Sequence, residues 1–282
     1  MPPLVSTEWL AGALGRSDVA VFDATYYLPN EGRDALQEFR RAHIPGAMFF
    51  DIDHVADPGA ALPHMVPSPG RFAQTMEELG IARTTSVVFY DQKGIATAAR
   101  GWWLLGMFGH DNAAVLDGGL PKWLAEGRPT ESGDAPSPVR SEEYRPDFRA
   151  ARLRGIGDMI DNLGSGASLV LDARAHERFA GAVPELRPGV RPGHIPGARN
   201  VPYAALLTEQ GTMRPPDALR EIFARAGVDG SRPVVTSCGS GVTACVLTLG
   251  LAVAGLPAGA VYDGSWTEWG GRSDTPVATG DA

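Results

Sequence analysis

The feature that most constrains this chain is that it carries one pattern twice. Val21-Phe-Asp-Ala-Thr25 returns as Val170-Leu-Asp-Ala-Arg174, and Ala42-His-Ile-Pro-Gly-Ala47 returns as Gly193-His-Ile-Pro-Gly-Ala198. Ser86-Val-Val-Phe-Tyr-Asp-Gln-Lys-Gly94 corresponds to Arg232-Pro-Val-Val-Thr-Ser-Cys-Gly-Ser240. Val115-Leu-Asp-Gly-Gly-Leu-Pro-Lys-Trp123 corresponds to Val261-Tyr-Asp-Gly-Ser-Trp-Thr-Glu-Trp269. The copies lie 149 residues apart at Asp23 and Asp172, 151 at His43 and His194, 147 at Asp91 and Cys238, and 146 at Asp117 and Asp263. Four matches in one order at nearly one offset indicate duplicated domains, not a short-period solenoid. We place the domains at 1–128 and 151–282. Residues 129–150 read as a linker, because the run from Gly127 to Pro138 is rich in Pro, Gly and Ser.

Each half alternates short β-branched runs with helical patterns. Strands are predicted over 18–23, 86–90, 113–116, 168–171, 233–236 and 259–262. Helices are predicted over 6–14, 70–79, 97–108, 156–162, 216–226 and 242–254. Strands interleaved with helices predict an α/β fold, with a parallel sheet covered on both faces in each domain. Ligands in such sheets bind beyond the carboxyl ends of the strands.

That position is occupied by Cys238-Gly-Ser-Gly-Val-Thr243, between a β-branched strand and an apolar helix. Thiolate is the reactive form of cysteine, and a helix N-terminus favours it. Gly239 and Gly241 allow positive φ, so successive N–H groups can turn inward as an anion-binding nest. Ser240 and Thr243 add hydroxyls. The first copy has Asp91 at the corresponding place, so only the second is expected to be catalytic. Cys245 lies within the apolar helix and reads as core, so a bridge to Cys238 is not expected.

With 282 residues, 44% of them hydrophobic, the chain is long enough for two domains. A net charge of −8 argues against nucleic acid or an anionic membrane as a partner. The first residues lack the basic and apolar regions of a signal peptide, no apolar run reaches the length of a membrane span, and 2 cysteines suit a reducing compartment. A cytoplasmic protein is the default expectation. The histidines and cysteines show no ligand-like spacing, so no metal and no cofactor is expected.

The chain resembles the tandem-domain rhodanese-type sulfurtransferases over nearly its whole length. Phe39-Arg-Arg-Ala-His-Ile-Pro-Gly-Ala-Met-Phe-Phe50 resembles the family's N-terminal signature, and Tyr262-Asp-Gly-Ser-Trp-Thr-Glu-Trp269 its C-terminal one. The loop Cys-Gly-Ser-Gly-Val-Thr is most similar to that of the 3-mercaptopyruvate-using members. Thiosulfate-using relatives carry two basic residues where this chain has Gly239 and Ser240. The resemblance implies that Arg178 and Arg187 hold the donor's carboxylate, with Gly239, Gly241, Val242 and Thr243 completing the donor site. It also implies that His64 and Asp53 assist Ser240 in moving a proton. Asp51 and His54 are near neighbours that could exchange roles with that pair.

The implied reaction takes sulfur from 3-mercaptopyruvate onto Cys238 as a persulfide, releases pyruvate, and passes the sulfur to thioredoxin, a small thiol or cyanide. Thiosulfate sulfurtransferase is the nearest alternative, and a non-catalytic sulfur-carrier module is a further one. Phosphatases that share the fold carry an arginine six residues after the cysteine. Ala244 stands there, which argues against phosphoryl transfer. The histidine of each His-Ile-Pro-Gly-Ala motif reads as structural, since the copy without a nucleophile keeps it too. The same reasoning sets Asp23, Asp172, Asp117 and Asp263 aside.

Overall fold

The computed structural model describes residues 1–141 and 143–281 and forms two compact units. The first contains β1 (Leu4–Val5), α1 (Thr7–Ala13), β2 (Val19–Asp23), α2 (Ala35–Arg41), β3 (Met48–Phe49), α3 (Ile52–Val55), α4 (Pro69–Glu78), β4 (Ser86–Tyr90), α5 (Ala98–Met107), β5 (Ala113–Leu116) and α6 (Gly119–Ala125). The second contains β6 (Leu153–Arg154), α7 (Ile156–Ser165), β7 (Leu169–Asp172), α8 (His176–Phe179), β8 (Arg199–Asn200), α9 (Pro216–Arg225), β9 (Val234–Ser237), α10 (Ala244–Val253), β10 (Ala260–Tyr262) and α11 (Ser265–Gly271).

The strand orders are β1-β5-β4-β2-β3 and β6-β10-β9-β7-β8, and every pairing is parallel. The two orders are one topology shifted by five strands, so the duplication extends to the hydrogen-bond ladder. Central strands read as unbroken apolar runs because helices cover both faces. On one face of the first sheet, Val21, Val88, Tyr90, Ala114 and Leu116 pack with Leu10, Phe39 and Trp123. Phe22, Phe50 and Phe89 form a second cluster, with ring centroids 5.0 to 6.1 Å apart. In the second unit, Val170, Val235 and Tyr262 pack with Met159, Phe179, Trp266 and Trp269.

The helix at 242–254 starts two residues later than its apolar pattern suggests. Gly241 has φ 77°, and the carbonyls of Val242 and Thr243 accept from Cys245 N (3.2 Å) and Val246 N (3.0 Å), a tight first turn. The two-residue edge strands were too short to show a period in the sequence.

The boundaries also depart from the expected ones. Residues 129–141 and 143–149, read as a linker from the sequence, cluster with the first unit, where His43 and Glu131 exchange backbone hydrogen bonds of 2.9 Å and the Tyr144 ring meets Phe72 edge-on. The units also trade segments. Gly59–Met65 belongs to the second unit, and Thr208–Met213 to the first, where Met213 N donates to Asp117 Oδ1 at 2.8 Å. Proline, glycine and serine report local backbone preference and carry no information on which body an extended segment packs against.

His43 and His194 occupy equivalent places. Each stacks on a phenylalanine, Phe39 at 4.1 Å and Phe179 at 3.7 Å, and each donates through Nδ1 to that residue's carbonyl. Both motif histidines therefore brace a helix against its following turn.

Candidate active site

The loop after β9 carries Cys238, which is 2% exposed. Its backbone is held from behind by the start of α11. Trp266 N donates to the Cys238 carbonyl (3.0 Å), Thr267 N and Oγ1 donate to the Gly239 carbonyl (2.8 and 2.6 Å), and Cys238 N donates to Ser265 Oγ (3.2 Å). Both carbonyls are thus tied to α11. The motif Asp263-Gly-Ser-Trp-Thr-Glu-Trp269 is the brace of the cysteine loop. Ser265 adopts φ 49° to serve it, where the first copy has Gly119 at φ 55°. Cys245 is fully buried and donates through Sγ to the Gly241 carbonyl (3.3 Å), so it packs in the core. Both cysteines are free thiols.

The equivalent loop of the first unit displays what this backbone binds. Asp91 is fully buried. Its Oδ2 accepts from the N–H groups of Ala96, Thr97 and Ala98 at 2.8 to 2.9 Å, and its Oδ1 accepts from Lys93 N at 2.9 Å. The carboxylate is an internal anion seated on the N-terminus of α5, where helix amides lack partners and the dipole is positive. The first copy fills its own cradle, whereas the second presents a thiol at the corresponding place.

Ser240 is buried, and its Oγ lies 2.9 Å from His64 Nδ1. With Nδ1 unprotonated, the hydroxyl donates to the ring. His64 holds φ 61°, a conformation that costs a non-glycine residue about 1–3 kcal/mol and is concentrated at functional sites. Asp53 belongs to the first unit, exposed on the first turn of α3. Asp51 caps that helix, accepting from Asp53 N and His54 N, and the His54 carbonyl accepts from Arg71. The histidine hydrogen-bonded to Ser240 is therefore His64, not His54.

Arg178 pairs with Glu185, and Arg187 follows Glu185 by two residues in the sequence. A Cβ added to Gly239 would sit 3.4 Å from Arg178 Nη2, so this guanidinium lies directly over the residue after Cys238. Arg178 Nε and Arg187 Nη2 are buried donors with no protein acceptor. Each of these donors is open to an acceptor from a ligand or water. Val242 is buried in the loop, and Thr243 opens α10 without a side-chain cap bond.

Two residues of this cluster escaped the sequence analysis. Arg174, almost fully buried, binds Asp172 through Nε and Nη2 (2.7 to 3.1 Å) and Glu185 through Nη1 (2.7 Å). Burial works to lower the Arg174 pKa, but the charges of Asp172, Glu185 and Cys238 outweigh it and raise the value. The signal was present in the repeat, since Arg174 replaces Thr25. In the first unit Asp23 has no such cation. Its partners include Thr25, through both N (2.9 Å) and Oγ1, Gln92 Nε2 (2.9 Å) and the Tyr90 hydroxyl. Burial pushes its pKa up to about 6 against those hydrogen bonds.

Among the described residues, no group of three or more His, Cys, Asp or Glu is placed to hold a metal, and no helix is long and apolar enough to cross a membrane.

The rhodanese-like domain family matches residues 6–126 and 156–272. The chain is 42% identical to 3-mercaptopyruvate sulfurtransferase of Rattus norvegicus over 94% of its own length and 91% of that protein's. It is 37% identical to the mitochondrial thiosulfate/3-mercaptopyruvate sulfurtransferase 1 of Arabidopsis thaliana, over 98% of this chain and 78% of the relative. Among solved structures, the 3-mercaptopyruvate sulfotransferase SseA of Escherichia coli superposes with a TM-score of 0.84 at 36% identity, covering 94% of this chain and 99% of that one.

Proposed function

The chain belongs to the rhodanese-like family, with two copies of that domain, and from this premise we propose that it is a 3-mercaptopyruvate sulfurtransferase working through Cys238. The Cys238 thiolate attacks the thiol sulfur of 3-mercaptopyruvate. An S–S bond forms, the C–S bond breaks, and its electron pair passes to the substrate's methylene carbon as the enolate of pyruvate. The substrate thiol's proton passes through Ser240 and His64, with Asp53 as the supporting carboxylate, to that carbon and completes pyruvate, leaving the persulfide anionic. Backbone N–H groups of Gly239, Gly241, Val242 and Thr243 stabilise the anionic persulfide by preorganised dipoles, as the amides around Asp91 hold a carboxylate. A second nucleophile, either a thiol such as thioredoxin's or a small molecule's, or cyanide, takes the outer sulfur and restores the thiolate. The enzyme acts in the cytoplasm, where both thiols stay reduced.

One observation carries the choice of donor. We read Arg178 and Arg187, each with a buried donor that has no protein acceptor, as the groups that meet the donor's charge, while the residues after Cys238 are uncharged. That suits a donor whose charge is a carboxylate held apart from the transferred sulfur, since a guanidinium fork matches a carboxylate. The name of the Arabidopsis relative favours thiosulfate as a second donor.

The test is a paired donor assay with Cys238→Ser as control. Specificity constants for 3-mercaptopyruvate and thiosulfate are compared with cyanide as acceptor, and the protein mass is read after each donor alone. One added sulfur on the wild type, with stoichiometric pyruvate and higher kcat/KM for 3-mercaptopyruvate, is expected. Preference for thiosulfate would reverse the donor choice, and sulfur transfer by Cys238→Ser would refute the mechanism.

A further inference from the structure

Asp172, Arg174, Glu185 and Arg178 form a chain of alternating charge in the second unit. Three of the four side chains are almost fully buried, and Arg178, at 21% exposure, is the open end. Glu185 is the hinge of the chain. Its Oε1 accepts from Arg174 Nη1 at 2.7 Å, and its Oε2 from Arg178 Nη2 at 2.5 Å. Arg174 is fixed on its remaining sides by Asp172, by the Gly193 carbonyl (2.8 Å), and by the Trp266 ring 4.6 Å beneath its guanidinium. Glu185 therefore couples the half-buried Arg178 to the fully enclosed Arg174.

A buried carboxylate is costly unless compensated, and this one is held by two guanidiniums. The consequence for Arg178 is orientation. With Nη2 committed to Glu185, the guanidinium lies over Gly239, and Nε keeps a free buried donor. An arginine without such a tie must lose its rotamer freedom when it meets a ligand, which weakens binding.

The geometry points to Glu185 as the positioning residue for donor recognition, holding Arg178 in the orientation that receives the substrate carboxylate. The inference rests on the function proposed above and extends it to a residue that touches neither substrate nor sulfur. A rival role for the same carboxylate is charge neutralisation, in which Glu185 weakens the attraction of Arg178 for anions. The two roles predict opposite signs.

The experiment compares wild type, Glu185→Gln and Glu185→Asp in two half-reactions. Loading is read as KM and kcat for 3-mercaptopyruvate. Discharge is read as the single-turnover rate at which cyanide removes sulfur from protein loaded at saturating donor and desalted. Glu185→Gln keeps the shape but cannot accept from both arginines. Its KM should rise roughly ten- to hundredfold, the range of one charge-assisted hydrogen bond. Discharge should stay within about twofold of wild type, since that step involves no carboxylate to position. Glu185→Asp keeps the charge with a shorter reach and should show a smaller rise. An unchanged KM overturns the assignment, and a lowered KM in Glu185→Gln does so in favour of neutralisation. A discharge rate slowed in proportion to loading also overturns it, because the carboxylate would then serve the loop as a whole. If Glu185→Gln does not fold, Glu185→Asp decides alone by the same two readings. Absence of pyruvate from the wild type would remove the proposed function and this assignment with it. An active wild type beside an unaltered variant removes only the latter.

Discussion

Asp23 is the most exacting test of how the two copies differ. It is fully buried, its equivalent Asp172 is paired with Arg174, and Asp23 itself faces Thr25 and Gln92. Its pKa is pushed from 3.8 up to about 6 by burial. Below pH 3.8 the carboxyl is protonated in both the folded and the unfolded chain. Between about 4 and 6 the fold retains a proton that the unfolded chain has released, so stability falls as pH rises. Above 6 the loss is complete. A shift of roughly 2 pH units corresponds to about 3 kcal/mol. Asp23→Asn fixes the neutral form. Its Oδ1 still accepts from Thr25, and Gln92 can turn its amide to offer oxygen. The unfolding free energy of Asp23→Asn minus that of wild type should therefore climb by about 3 kcal/mol between pH 4 and pH 6.5, then level off. Urea titrations at half-unit pH intervals measure this, and the subtraction cancels the titrating groups that do not interact with Asp23. A difference that stays flat, or falls, would mean that Asp23 ionises as easily in the fold as out of it, and the account of its burial would be wrong.

Other consequences are more compact. Asp91→Asn opposes an amide NH2 to N–H donors that now share one carboxylate, and should cost about 2–3 kcal/mol of stability by denaturant titration while leaving the persulfide half-reactions intact. Because that carboxylate fills its own cradle, a small anion such as sulfite should bind one site per chain in calorimetry. Ser240→Ala should slow pyruvate release about 10²-fold or more, with cyanide discharge of the persulfide retained. Gly101→Ala would set a methyl 2.6 Å from the Phe89 ring, and should lower stability by about 1–3 kcal/mol with kcat unchanged.

The duplication, the parallel sheets and the cysteine loop were legible because each rests on residues close in sequence. A βα loop with its nucleophile, glycines and hydroxyls is a single local pattern. The ionic chain from Asp172 to Arg178 was not legible, because its hinge lies 11 residues beyond Arg174 and carries no pattern of its own. Asp172 was set aside because the copy with Asp91 in place of the cysteine shares it as Asp23. The informative comparison was two residues along, at Thr25 against Arg174, where the copies differ in charge as they do at Asp91 against Cys238. Tyr144 was hidden in the same way, as a buried anchor in a segment whose composition advertises freedom.

The exchange of segments between the units gives the duplicated chain a different standing from two modules in tandem. His64 is encoded in the first half and belongs to the second unit, while Thr208–Met213 is encoded in the second half and belongs to the first. A gene cut at the old repeat boundary would deliver a C-terminal product with Cys238, Ser240, Arg178 and Arg187 but without His64, and an N-terminal product without Thr208–Met213. The repeat remains visible in the sequence, but the boundary between the halves no longer coincides with the boundary between the units.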